Sequence, residues 1–206
     1  THTLVKASYE YWKNLDQRNR KKFKFIHIST DEVFGDLGPK SKPSTEISRY
    51  LPSSPYSASK ASSDHIVRAW HKTYKFPIII TNCSNNYGPY QFEEKLIPLT
   101  INHCLNLKKI PIYGNGLQKR DWIYVDDHIR ALYKLMTLGK IGESYNIGSN
   151  SNISNLEVVN IICQELNNIL PLKNQKCTDY RDLITFVIDR KGHDKRYQVN
   201  VNKIKK

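Results

Sequence analysis

The stretch FIHISTDEVFGDLG, residues 25–38, decides how the rest of the chain is read. An apolar, β-favouring run breaks off at Ser29 and Thr30, and two carboxylates, Asp31 and Glu32, follow at once. Short runs of this kind suit strands buried on both faces, the way strands of parallel sheets read. Phe23–Ile28 and Phe76–Thr81 are the two clearest. Between them, Ser57 to Tyr74 places Ala58, Ala61, His65, Ile66, Ala69 and Trp70 at helical spacing, after a Pro-Ser-Ser-Pro stretch that stops helix upstream. Strand, helix, strand with buried strands predicts the α/β class, a parallel sheet covered by helices.

Outward from that unit, residues 3–15 carry Leu4, Ala7, Tyr11 and Leu15 at helical spacing, and the basic run Arg18–Lys24 reads as a solvated linker. Downstream, Pro111–Gly116 contains an Asn-Gly turn before a strand at Trp122–Val125. A helix follows from Asp126, with Asp127 as a candidate cap. A strand over Glu143–Ile147 ends at Gly148, and a capped helix begins near Ser154. There are no internal repeats.

Composition narrows the classes. With 206 residues, 39% hydrophobic and 11% aromatic, the chain is globular rather than disordered. No apolar run approaches the ~18 residues of a membrane span, and the first residues are no signal peptide, so the expectation is a cytoplasmic protein with no membrane partner. Cys83, Cys104, Cys163 and Cys177 form no CxxC pair, which predicts buried thiols, no metal and no disulfide framework. A net charge of +13 permits nucleic-acid binding, but the positive residues are scattered. A small polyanionic substrate suits that charge better than a nucleic acid does.

In parallel sheets ligands bind beyond the carboxyl ends of strands, where Thr30, Asp31 and Glu32 fall. Alone, these residues are as readily caps or loop residues. Tyr56 and Lys60, four residues apart at a helix start, share one helical face. An ammonium there favours the phenolate, drawing a tyrosine pKa from ~10 toward neutrality.

Tyr56-x-x-x-Lys60 after Ser29-Thr30 resembles the extended short-chain dehydrogenase/reductases. Residues 29–35 (STDEVFG), with Thr81–Tyr90, Glu94–Pro98, Arg120–His128, Tyr145–Gly148 and Arg190–Asp194, are similar to the nucleotide-sugar dehydratase branch, in particular the dTDP-glucose 4,6-dehydratases. The resemblance implies a partial Rossmann-type parallel sheet with flanking helices plus a smaller C-terminal substrate-binding α/β domain. Residues 1–84, returning at about 126–149, would be the C-terminal part of the NAD-binding domain; 85–125 and 150–206 would bind the nucleotide sugar. NAD would meet Ser29, Tyr56, Lys60 and Cys83. Tyr56 would take the C4 hydroxyl proton, tuned by Lys60, while Thr30 bonds the C4 oxygen. Glu32 would take the C5 proton, and Asp31, kept protonated by burial and its neighbour, would protonate the departing hydroxyl. Asn85, Lys95 and Leu96 would line the sugar and phosphate region, Tyr113 the nucleobase, and Arg120, Asn155 and Arg190 the diphosphate, with His193 among the substrate contacts. The helices at 3–15 and 57–74 would pair into a homodimer.

The sequence also departs from that pattern. No GxxGxxG occurs anywhere, the chain starts in what looks like the fourth helix of the cofactor domain, and Lys191 replaces an expected proline. It therefore reads as a fragment of a longer enzyme. Two alternatives stand beside the dehydratase: a related NAD-dependent nucleotide-sugar epimerase or decarboxylase, whose chemistry does not require Asp31-Glu32, and a non-catalytic binding or dimerisation module.

Overall fold

The computed structural model describes residues 1–172 and 178–205. In chain order the elements are α1 (His2–Lys13), α2 (Gln17–Lys22), β1 (Phe25–Thr30), α3 (Pro55–Tyr74), β2 (Ile78–Cys83), β3 (Asn85–Tyr87), α4 (Leu96–Leu105), β4 (Ile110–Tyr113), β5 (Lys119–Tyr124), α5 (Val125–Leu138), β6 (Ser144–Ile147), β7 (Asn152–Ser154), α6 (Asn155–Ile169) and β8 (Ile184–Val187).

The expected parallel sheet is present, in the order β1-β2-β6. Phe25 stands opposite Ile78, Thr30 opposite Cys83, and Ile80 opposite Ser144. Ile78, Ile79 and Ile80 are completely buried, each contributing roughly 1.5–3 kcal/mol by leaving water. Both strands start two residues later than the apolar runs. Phe23 closes α2 with its N–H on the Asn19 carbonyl, and it packs with the buried Phe76 in an aromatic cluster under α1. Hydrophobicity alone cannot separate a strand residue from a neighbour that buries its ring beside the strand. The shift puts Thr30 inside β1, its last residue.

The basic run 18–24 is not a linker. Asp16 accepts from the Arg18 and Asn19 N–H groups at 2.9 and 3.0 Å and so caps α2, whose last turn holds Arg20, Lys21 and Lys22, the favourable polarity for a helix dipole. Lys24 reaches across to the carbonyls of Thr137 and Gly139 at the C-terminal end of α5. The helical faces also differ from expectation. Val5 and Trp12 are the buried residues of α1, whereas Leu4 and Tyr11 are 63% and 62% exposed. On α3 the buried positions are Ser57, Ala61, Asp64 and Val67, leaving Ala58, His65 and Ala69 outward. On α1 the buried stripe is the one holding Trp12, and α3 adds Val67 and the partly buried Trp70 to the same aromatic cluster.

A three-stranded sheet β3-β5-β7 and the parallel pair β4-β8 make up the remainder. The Asn115-Gly116 turn does not make a hairpin: Gly116 N–H closes it onto Tyr113, and β4 then pairs with β8 while β5 pairs with β3 and β7. Asp127 does not cap α5. It pairs with Arg130 at 3.2 Å, and Tyr124 occupies the cap without a side-chain bond. Ser154 and Glu157 form the capping box that opens α6. Nothing in the apolar pattern announced α4, which tolerates Pro98 because its first-turn N–H groups lack intrahelical partners anyway. Cys104 and Cys163 are buried between α4 and α6 with Sγ atoms 4.0 Å apart, Cys83 is half-buried, and Cys177 lies outside the described residues. Among the described residues no helix is long and apolar enough to cross a membrane.

Candidate active site

β1 ends at Thr30, whose hydroxyl accepts from the Glu32 N–H and donates to Asp31 Oδ1, each at 3.3 Å. This opens a single 3-10 turn over Asp31–Phe34. The turn must close sharply: Gly35 has φ +79°, and a Cβ there would meet the Leu51 carbonyl at 2.1 Å, so only glycine fits. Strand end, cap and tight turn together present the two carboxyl groups from a rigid base.

Their environments differ. Asp31 is buried, and desolvation, followed by the charges of Glu32 and Asp121, pushes its carboxyl up to about 7 against the pull of Thr30 and Arg120. Glu32 is raised as well, chiefly by burial, with Arg120 opposing. One acid can therefore hold a proton near neutral pH while its neighbour faces open space. Asp121, which falls inside the segment Arg120–His128 but is given no role there, is completely buried and accepts from Ser149 Oγ at 2.7 Å and from the Ser151 N–H at 2.9 Å, which fixes the loop after β6.

Tyr56 lies exposed in the first turn of α3, with Lys60 one turn on. The predicted coupling between them is not what the geometry shows. Lys60 Nζ donates to the Ile28 carbonyl at 2.8 Å, and the Tyr56 phenol is pushed upward by partial burial and then by Glu32, Cys83 and Asp31. The ammonium is engaged by the strand backbone while the carboxylates act on the phenol. Ser29 is buried beside them, its carbonyl 3.2 Å from Cys83 Sγ across the β1/β2 pair. Ser29, Thr30, Cys83, Tyr56 and Lys60 thus gather at one end of the sheet.

A cavity of about 650 Å³ opens in front of Glu32 and takes in Asn85, Lys95, Leu96, Tyr113, Arg120, Asn155, Arg190 and His193, all the candidate substrate residues. Thr30, Asp31, Tyr56 and Lys60 are not part of its wall. Arg120 is buried, its guanidinium donating to the Lys119 and Asp194 carbonyls at 2.8 Å and lying 4.5 Å over the Tyr197 ring. At the far end Arg190 lies 4.2 Å over the Tyr113 ring. His193 Nδ1 stands 2.7 Å from Asp189, which also accepts from Gln118 and the Arg190 N–H. Gln91, Glu94, Trp122, Asp194 and Tyr197 line the cavity too. Sequence reasoning missed their part in it. Glu94 and Asp194 fall inside segments already singled out, whereas Tyr197 carried no local signal. Among the described residues no group of three or more His, Cys, Asp or Glu is placed to hold a metal ion.

The family that matches residues 1–206 is described as GDP-mannose 4,6 dehydratase. The dTDP-glucose 4,6-dehydratase of Neisseria meningitidis serogroup B is 54% identical over 206 residues, 100% of this chain and 58% of the relative. The crystal structure of dTDP-glucose 4,6-dehydratase from Bacillus anthracis in complex with NAD superposes with a TM-score of 0.83 at 44% identity, covering 98% of this chain and 58% of that one. UDP-glucuronic acid 4-epimerase from Bacillus cereus, in complex with UDP-glucuronic acid and NAD, gives 0.74 at 32% identity, covering 88% and 54%. The chain therefore spans somewhat more than half the length of the relatives it matches.

Proposed function

The chain belongs to the GDP-mannose 4,6 dehydratase family, and from that premise we propose that the complete gene product dehydrates dTDP-glucose to its 4-keto-6-deoxy sugar. The observation that carries this reading is the pair Asp31-Glu32, one acid raised to about 7 and the other facing a cavity rimmed by arginines. The chemistry of an epimerase or decarboxylase does not require two such acids, and a binding module requires neither.

In the proposed reaction Tyr56 acts as the phenolate, a form that burial and the nearby carboxylates oppose in the free protein, and takes the proton of the sugar C4 hydroxyl, while Thr30 bonds the C4 oxygen. NAD, held against Ser29, Tyr56, Lys60 and Cys83, would supply hydride acceptance at C4 and hydride donation at C6. Glu32 removes the C5 proton, made acidic by the adjacent ketone, and Asp31 protonates the C6 hydroxyl as it leaves. Glu32 then restores a proton to C5. Protons balance: Tyr56 and Glu32 take one each, Asp31 gives one to the departing water and Glu32 returns one to C5, and the cycle closes when the proton left on Tyr56 is exchanged through solvent for the one Asp31 lost. The side chains at the sheet end suit the nicotinamide ribose, with an exposed phenol at Tyr56 and the Lys60 ammonium beside the Ile28 carbonyl. Arg120, Arg190 and Lys95 supply cations for the diphosphate, for which the planar guanidinium fork is well matched. Tyr113, backed by Arg190, offers a ring for the nucleobase.

In the same proposal, residues 1–84 and 126–149 serve the cofactor and residues 85–125 and 150–206 the nucleotide sugar. The outward stripes of α1 (Leu4, Ala7, Tyr11) and α3 (Ala58, His65, Ala69) support a homodimer paired through these helices, working in the cytoplasm. A monomer at micromolar concentration by light scattering would refute the pairing. For the reaction, the complete gene product is incubated with dTDP-glucose and NAD, and the sugar is followed by proton NMR. A C6 methyl signal with loss of water is expected. Formation of the C4 epimer without dehydration favours the epimerase instead, and no turnover favours the binding module.

A further inference from the structure

Behind the site lies a buried polar cluster with no part in the reaction above. Asp64, on α3 one turn beyond Lys60, is 0% exposed. Its Oδ2 accepts from Tyr50 Oη at 2.7 Å and from Asn82 Nδ2 at 3.3 Å, and its Oδ1 lies 3.0 Å from His27 Nε2. Arg68, the next turn of α3, donates to the same Tyr50 hydroxyl at 2.8 Å. The amide of Asn82 also donates to the Thr30 carbonyl at 3.2 Å, and Lys60 holds the Ile28 carbonyl. The helix carrying Tyr56 and Lys60 is thus tied to β1 at His27, Ile28 and Thr30, next to Asp31.

A buried carboxylate is an expensive way to attach a helix. Removing it from water costs several kcal/mol unless it is well partnered, and apolar residues of similar volume hold such contacts as firmly. Burial raises the Asp64 carboxyl, yet the bonds from His27 and Tyr50 outweigh it and leave the group more acidic than usual. What apolar contacts lack is direction. They press a helix onto a sheet but do not fix its position along a strand, whereas hydrogen bonds of defined length and angle do. Moreover, every partner of Asp64 comes from an element that also carries or touches a reacting residue.

We propose that Asp64 is a positioning residue, whose hydrogen bonds from Tyr50 and Asn82, with His27 Nε2 held 3.0 Å away, set α3 along β1 and thereby place Tyr56 and Lys60 relative to Thr30 and Asp31. This rests on the dehydratase reading above. The test compares Asp64→Asn with the unaltered complete gene product. It uses steady-state kinetics with dTDP-glucose, dTDP affinity by calorimetry, and the isotope effect on kcat with substrate deuterated at C4. A displaced Tyr56 slows removal of hydrogen from C4. The expected result is a roughly 10- to 100-fold fall in kcat, the scale on which ångström displacements act. KM and dTDP affinity should stay within about twofold, and the C4 isotope effect should be larger than in the unaltered enzyme. Unchanged kcat and isotope effect overturn the proposal, as does a loss of dTDP affinity as large as the loss of kcat. If Asp64→Asn does not fold, Tyr50→Phe and His27→Gln each remove one arm; an isotope effect left unchanged in both also overturns it. Absence of turnover in the unaltered enzyme overturns the dehydratase reading together with this one.

Discussion

At one end of the cavity Glu32, with Asp31 behind it, stands on a strand terminus and a tight turn, fixed by backbone bonds and shifted in charge by burial. At the other end Arg190 and His193 come from the segment after β8, and they are held by a ring and by the carboxylate of Asp189 near the surface. The first end is rigid because main-chain geometry sets it. The second gathers several modest attractions, each screened by solvent, so no one of them dominates. Rate should accordingly depend on a few groups at the Glu32 end, and affinity on many at the Arg190 end. Arg120, buried beside the acids yet lining the same cavity, belongs to both.

Four experiments on the complete gene product can break or sharpen that contrast. Glu32→Gln should produce the largest change, a fall in kcat on the order of 10²–10⁴-fold with dTDP affinity preserved, because it removes a general base without altering shape. Exchange of the C5 proton with solvent deuterium should disappear in this variant; undiminished exchange sinks the assignment of Glu32 as base. Asp31→Asn should retain that exchange while water loss slows.

The pH profile isolates Asp31. With its folded pKa near 7, the protonated acid is lost above pH 7, so kcat/KM should fall about tenfold per pH unit on that limb. Linkage has the same sign. The folded carboxyl holds its proton more tightly than the unfolded one, so its contribution to stability is present at pH 3 and is lost as pH rises through 7. Asp31→Asn should therefore melt at a higher temperature than the unaltered protein at pH 8, with little difference at pH 4. A variant less stable at pH 8 contradicts the buried, neutral acid.

Arg190→Ala should weaken dTDP binding by calorimetry roughly tenfold or somewhat more, the usual loss for one charge-assisted contact, with kcat little changed. A fall in kcat as large as that of Glu32→Gln would erase the distinction between the two ends. The smallest effect is expected at Gly114. Its φ is +59°, and a Cβ there would meet Asp189 Oδ2 at 2.6 Å, close to the carboxylate that holds His193 and the Arg190 N–H. Gly114→Ala should cost about 1 kcal/mol in thermal unfolding and raise KM a few-fold.

Much of the site was legible because its residues sit where local chemistry betrays them. Thr30-Asp31-Glu32 follows a β-favouring run, and Tyr56 and Lys60 open a capped helix, so one stretch of sequence supplies both residue type and placement. The cavity set could be named only through resemblance, since a lone Asn155 or Arg190 differs in no local way from a surface residue. Tyr197 escaped notice for that reason: a half-polar ring in an irregular segment has no periodicity to reveal it, and Arg120 finds it only by folding. The faces of α1 and α3 were misjudged because two stripes satisfy the same spacing, and the aromatic cluster around Phe76 chooses between them.

By itself, then, the sequence determined the α/β class, the order of the first strands and helices, and the place of the paired carboxylates at a strand end, because alternation, capping and turn chemistry act between residues close in the chain. Only the tertiary structure decided that Lys60 would bind the Ile28 carbonyl instead of governing Tyr56, that Asp121 would raise Asp31 from ninety residues away, and that Asp64 would be buried among His27, Tyr50 and Asn82. Desolvation and the approach of distant charges depend on which surfaces meet, and no local pattern of residues encodes that.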